Sequence, residues 1–251
     1  MTSWIDRLPA NWTPPAIEGQ IPHGDMPGDK VSIGEDHITK ANLIFPVLLN
    51  EIRHTNKDKI VISVYGGSGV GKSEIASVLT CYFRNLGIGA YTMSGDNYPH
   101  RIPKYNDLER ERVYEECGKN GLRMYLGSEY EINFKEVNEI LRQFHSGKAE
   151  IFLRRMGREV TELWYEPVCF SQTQVLILEW THGNNANLTE VDIPIFLNST
   201  PEETLAHRRA RNRDGKVDSP FTTMVLTLEQ ELLASQRSSA KICVAKRGVL
   251  E

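Results

Sequence analysis

Apolar positions along this chain fall into two spacings. Short apolar runs occur at Val61–Val64, Ala90–Met93, Ala149–Leu153, Thr173–Leu178, Asp192–Leu197 and Lys241–Ala245. Runs of this length, bounded by turn residues, read as strands. Between them apolar residues recur every three or four positions. One such set is Ile38, Ala41, Phe45, Leu48 and Ile52. A second is Ile75, Val78, Leu79, Tyr82, Phe83 and Leu86, stopped by Gly87, and a third is Phe134, Val137, Ile140, Leu141 and Phe144, stopped by Gly147. Each spacing predicts an amphipathic helix. Asp36 is the candidate N-cap of the first, and Pro46 is expected to kink or divide it. Leu108–Cys117 reads as a charged, exposed helix closed by Gly118, followed by an irregular stretch to Tyr130. Thr200-Pro-Glu-Glu203 supplies an N-cap, a first-turn proline and a capping-box glutamate; Leu228 and Leu232 mark a last helix. Strands alternating with helices predict an α/β fold.

Residues 1–35 lack either spacing. Five prolines (Pro9, Pro14, Pro15, Pro22, Pro27) make this an irregular N-terminal extension, and Trp4 and Trp12 are expected to lie against the main body or a neighbouring subunit. A homo-oligomer is therefore an open expectation. Residues 36–251 are expected to form one domain.

Charge and composition narrow the partners. The net charge of −4, with no basic stripe to offset it, argues against general nucleic-acid binding. The four cysteines are widely separated without a C-x-x-C, as in a reducing compartment. No run approaches the roughly 20 apolar residues of a bilayer span, and the N-terminus lacks a signal pattern, so a cytoplasmic chain with no membrane partner is expected.

The decisive chemistry lies in Val61-Ile-Ser-Val-Tyr-Gly-Gly-Ser-Gly-Val-Gly-Lys-Ser73, where a strand runs into G-x-x-x-x-G-K-S and then a helix. Gly67, Ser68, Gly69, Val70 and Gly71 can turn backbone N–H groups inward on a triphosphate. Lys72 adds a positive charge at the β- and γ-phosphates, and the Ser73 hydroxyl can ligate Mg²⁺. Asp96 follows the second strand, in the crevice where open α/β sheets bind ligands; it is a candidate general base, and equally a residue type that turns favour. Glu179, at the end of Thr173–Leu178, is a candidate Mg²⁺-water ligand. Arg208, Arg209, Arg211 and Arg213 fit a mobile lid over the phosphates, with Arg209 and Arg213 the candidates to act on the transferring group. His100, Arg101, Arg123, Arg154 and His182 are candidate acceptor contacts. With Arg155, the basic members of this set favour an anionic acceptor.

The order of these motifs resembles the uridine kinase and phosphoribulokinase family of P-loop small-molecule kinases. Ser94-Gly-Asp96 with His100-Arg101 looks like its aspartate loop, Leu178-Glu-Trp-Thr-His-Gly183 like its glutamate-containing strand end, and Arg208–Asp214 like its arginine lid. Ile242–Gly248 is similar to the closing strand and basic-glycine turn that border the adenine site in uridine kinases. The resemblance covers residues 58–248. It implies a five-stranded parallel sheet between helical layers, ATP with Mg²⁺, and Asp96-assisted phosphoryl transfer to a hydroxyl. Neither branch's substrate is carried over; the expected acceptor, a small and anionic metabolite of the sugar phosphate or nucleoside class, rests on the charge of the basic residues. Three features depart from it: Pro99 sets His100-Arg101 one residue farther from Asp96, no aromatic-rich acceptor loop precedes Arg154, and the extension has no counterpart. An adenylylsulfate kinase-like enzyme and a nucleotide-dependent regulatory protein are the alternatives.

Overall fold

A computed structural model describes residues 3–17, 21–29, 31–211, 219–245 and 248–251, with the side chains of Ala210 and Arg211 excepted. The elements in order are α1 (Glu35–Arg53), β1 (Ile60–Gly66), α2 (Lys72–Asn85), β2 (Ala90–Ser94), α3 (Pro103–Tyr125), α4 (Phe134–His145), β3 (Glu150–Met156), β4 (Leu163–Cys169), β5 (Val175–Glu179), β6 (Ile193–Asn198), α5 (Pro201–Arg211), α6 (Pro220–Ser235) and β7 (Ile242–Ala245). Five strands form a parallel sheet in the order β2-β5-β1-β6-β7. The expected α/β fold with its five-stranded sheet is present.

Alternation along β1 explains the layers. Ile60, Ile62 and Val64 join Val175 and Ile177 of β5 against Ile44, Phe45 and Leu48 of α1 and Ile75, Val78 and Phe83 of α2. Val61 faces the other way, with Leu176, Leu178 and Met93, onto Val137, Ile140, Leu141 and Phe144 of α4. Both faces are buried, which is why these strands are continuously apolar. The N-terminal tryptophans lie against the body. The Trp4 indole donates to the Asp58 carbonyl at 2.9 Å, and the Trp12 ring centroid lies 4.7 Å from that of Phe45 and 5.0 Å from that of Tyr82.

Four local expectations differ from the structure. α1 begins at Glu35 after Gly34, whose N–H donates to His37 Nδ1 at 3.0 Å, so Asp36 lies inside the first turn. It runs on through the exposed Pro46. Gly118 takes φ 64° and ψ −169°, but it interrupts α3 rather than ending it, and helix resumes to Tyr125. The run at Ala149–Leu153 does form a strand, β3, but it pairs antiparallel with β4, in a hairpin outside the main sheet. β4 (Leu-Trp-Tyr-Glu-Pro-Val-Cys) is largely exposed and has no buried-strand signature. Among the described residues, no helix is long and apolar enough to cross a membrane.

Candidate active site

Parallel register brings the strand ends together. Val64 of β1 and Ser94 of β2 both stand opposite Glu179 of β5. The loop leaving β1 then turns into α2 at Gly71, whose φ of 98° is a left-handed conformation that favours glycine. A Cβ there would stand 2.8 Å from His37 Cδ2, so α1 abuts the loop on one side. On the other side α5 closes in, with Arg208 Cγ and the Thr204 backbone against Gly69. The α5 N-terminus is built as its sequence indicates: the Thr200 N–H donates to Glu203 at 2.9 Å, and the Glu203 N–H to the Thr200 hydroxyl at 3.3 Å. Lys72 Nζ folds back onto the Gly67 carbonyl at 3.1 Å, capping the loop from within.

Beneath the loop sits a small polar cluster. Glu179 accepts from the Ser94 hydroxyl at 2.5 Å and from the Ser73 hydroxyl at 3.2 Å, and all three side chains are buried. Burial and the nearby Asp96 carboxylate push the Glu179 pKa up to about 8, against Lys72 and the two hydroxyls. A carboxylate so placed gains from a cation. Ser73, Glu179 and the loop amides thus fit Mg²⁺ and a phosphate chain in the donor types they offer. Among the described residues no group of three or more His, Cys, Asp and Glu is set to cage a metal, so Mg²⁺ here would draw its remaining oxygens from phosphate and water.

Asp96 lies on the turn Gly95–Asn97, exposed, at the rim of a cavity of about 630 Å³. The turn packs so closely on Trp180 that a Cβ on Gly95 would fall 2.0 Å from its Cγ. The cavity is lined by carboxylates (Asp29, Asp107, Glu159, Glu162, Glu229), by Trp164 and Trp180, and by His182. Two cations, Arg110 and Arg158, also line it. Arg110 is already neutralised: its guanidinium donates to Glu131 at 2.6 Å and Glu229 at 3.1 Å. Glu131 is fully buried and also accepts from Asn106 at 3.0 Å and the Gly127 N–H at 2.7 Å. Burial alone would raise its pKa, but Arg110, His182 and the Gly127 N–H outweigh it and hold it below the usual value. His182 is buried with its pKa lowered by desolvation, so its imidazole is neutral near pH 7. Its Nδ1 has no hydrogen-bond partner among the described residues.

The structure brings Lys72, Ser73, Asp96, Glu179 and His182 to one crevice. The basic residues expected at the acceptor have other partners. His100 Nε2 is 2.9 Å from the Glu129 carbonyl. Arg101 reaches Tyr125 Oη at 3.2 Å and Glu109 at 3.5 Å. Arg123 joins Glu231 of α6 at 2.6 Å. Arg154 binds the Pro99 carbonyl and Glu136, and Arg155 binds Asp25 at 2.8 Å and Glu166 at 2.7 Å. None of the five lines the cavity. Arg209 is exposed on α5, and Arg213 and the Lys246-Arg247 pair lie outside the described residues. Sequence spacing gave no warning of Arg110, Glu131, Glu229 or Trp164, which come from four separate segments.

No family model matches the chain. Phosphoribulokinase from Rhodobacter spheroides superposes with a TM-score of 0.58 at 19% identity, over 76% of this chain and 71% of that one. The chain has the phosphoribulokinase fold. A possible uridine kinase from Bacillus stearothermophilus shares that fold with a TM-score of 0.50 at 14% identity, over 70% of this chain and 89% of its own. A curated relative is much closer in sequence: the bifunctional alpha-galactosidase/sucrose kinase AgaSK of Mediterraneibacter gnavus is 53% identical over 192 residues, 76% of this chain. The match spans about one fifth (20%) of that relative's length.

Proposed function

We propose that this phosphoribulokinase-fold chain is an ATP-dependent kinase that phosphorylates a hydroxyl of an uncharged sugar, with sucrose the first candidate. One observation carries the acceptor class: the cavity beside Asp96 presents five carboxylates against two arginines, with two tryptophans and a neutral histidine. Of those arginines Arg110 is paired with Glu131 and Glu229, while Arg154 and Arg155 are held by carboxylates outside the cavity. Carboxylates accept hydrogen bonds from sugar hydroxyls, a neutral imidazole both donates and accepts, and an indole face packs against sugar C–H groups. The same carboxylates would repel a phosphate. The size is right for a small metabolite, since such pockets run from about 300 to 1,000 Å³. The relative named a sucrose kinase supports the particular sugar.

The chemistry assigned to each residue is modest. Asp96 accepts the proton as the sugar oxygen bonds to the γ-phosphorus and the bridging bond to ADP breaks. Lys72 and the loop amides hold the phosphates in line. Arg209 and Arg213 of the lid region remain the candidates to compensate the transferring charge. Mg²⁺, when held through Ser73 and Glu179, supplies charge neutralisation between the phosphates. Phosphorus NMR of a reaction with Mg²⁺-ATP and sucrose tests this reading. A sugar phosphomonoester that forms with wild type and not with Asp96→Asn is expected, with ATP binding retained in the variant. Full transfer by Asp96→Asn would remove the base assignment.

A further inference from the structure

Part of the N-terminal extension runs directly over the catalytic strand ends. Gly24 packs beside Thr92 of β2, and a Cβ on it would stand 4.0 Å from a Glu179 carboxylate oxygen. The next residue, Asp25, turns inward and is almost fully buried. Its Oδ1 accepts from the Ser94 N–H at 2.7 Å and from the Asn97 amide at 3.2 Å. Its Oδ2 accepts from the Tyr91 hydroxyl at 3.0 Å and from the Arg155 guanidinium at 2.8 Å. Ser94 and Asn97 bracket the Asp96 turn, and Asn97 Oδ1 in turn accepts from the Met156 N–H of β3 at 3.0 Å. One carboxylate therefore joins the extension, the turn bearing the candidate base, and the hairpin. Met26, Pro27, Gly28 and Asp29 then line the same cavity as Asp96, His182 and Trp164.

A buried ion pair is a poor device for stability alone, because desolvating both charges offsets most of their attraction. Its value lies in fixing one arrangement. Without Gly24–Asp29 the cavity would be open along that side, and the Asp96 turn would lose two of its anchors. We propose that Gly24–Asp29 is a built-in wall of the acceptor site, clamped by Asp25 so that sugar binding and the position of Asp96 are set together. Asp25 is a positioning residue in this scheme, and Met26 contributes apolar surface toward the sugar. The choice of ligand rests on the uncharged-sugar reading; the clamp does not.

The test uses full-length wild type, Asp25→Asn and Met26→Ala, with sucrose and ATP as substrates. Steady-state constants come from ADP release, and hydrogen exchange is followed at residues 24–29 and 94–98. Asp25→Asn should raise the sucrose KM at least tenfold and lower kcat, leave the ATP KM within twofold, and deprotect both stretches together. Met26→Ala should raise the sucrose KM severalfold with wild-type exchange at 94–98, which separates the wall from any folding defect of Asp25→Asn. An unchanged sucrose KM in both variants would overturn the wall. Faster exchange at 24–29 with residues 94–98 still protected would overturn the clamp. If wild type phosphorylates no sugar, the sugar reading fails separately, and joint or separate deprotection still decides the clamp.

Discussion

Arg110→Met removes the guanidinium that Glu131 and Glu229 share while keeping much of the apolar stem volume. Glu131 is wholly buried, so its charge cannot recover by facing water. Breaking one side of such a pair costs about 3–5 kcal/mol. The stranded carboxyl has one escape, which is to protonate. From its ordinary value of 4.5, doing so at pH 7 costs about 3 kcal/mol, at about 1.36 kcal/mol per pH unit. The two figures agree, so Arg110→Met should lose about 3–4 kcal/mol at pH 7. The sign with pH follows from the direction of the wild-type shift. Glu131 is held below its ordinary value, so its favourable contribution is present above about pH 4.5 and fades only as pH falls below that. In the variant, protonation becomes progressively cheaper from pH 7 downward. The two stabilities should therefore converge to within about 1 kcal/mol near pH 4.5. Urea unfolding of both proteins at pH 7, 6, 5 and 4.5 measures this, and Glu131→Gln in the Arg110→Met background should recover part of the loss at pH 7. A loss below about 1 kcal/mol at pH 7, or one that does not change with pH, would refute the reasoning.

Three further outcomes follow from the site geometry. Gly71→Ala combines a positive φ with a Cβ 2.8 Å from His37 Cδ2, and should weaken ATP-analogue binding at least tenfold by calorimetry, with the fold intact by circular dichroism. Gly95→Ala drives a methyl into Trp180, displaces Asp96, and should lower kcat by about 10²-fold or more while the ATP KM stays near wild type. Glu179→Ala should raise the half-saturating Mg²⁺ concentration about tenfold or more in the ADP-release assay, because only the Ser73 hydroxyl of the pair remains.

The sheet was legible because its strands are buried on both faces, which leaves continuous apolar runs such as Val175–Leu178 and Ile193–Leu197. The phosphate loop was legible because its spacing is local. Asp96 was legible as a carboxylate just past a strand end, and Glu179 as one closing a strand. The hairpin was half hidden: β3 has a readable run, but β4 is exposed and owes its strand state to pairing with β3. Arg154 and Arg155 look alike in sequence to anion-binding arginines. Their partners Glu136, Glu166 and Asp25 lie 11 to 130 residues away, a separation that no local pattern reports. The acidic acceptor cavity stayed hidden for the same reason, since Asp29, Asp107, Glu162 and Glu229 meet only in the fold. Trp4 and Trp12 did signal contact, and the structure places them on α1, α2 and the turn before β1.

The acceptor's charge is the central claim, and competing kcat/KM values test it most directly. ADP release from Mg²⁺-ATP should be measured with sucrose, glucose and fructose against glucose 6-phosphate, ribulose 5-phosphate and uridine. A preference of at least 10²-fold for an uncharged sugar over every sugar phosphate is predicted, as a cavity rich in carboxylates disfavours a second anion. A preference for a sugar phosphate would contradict it.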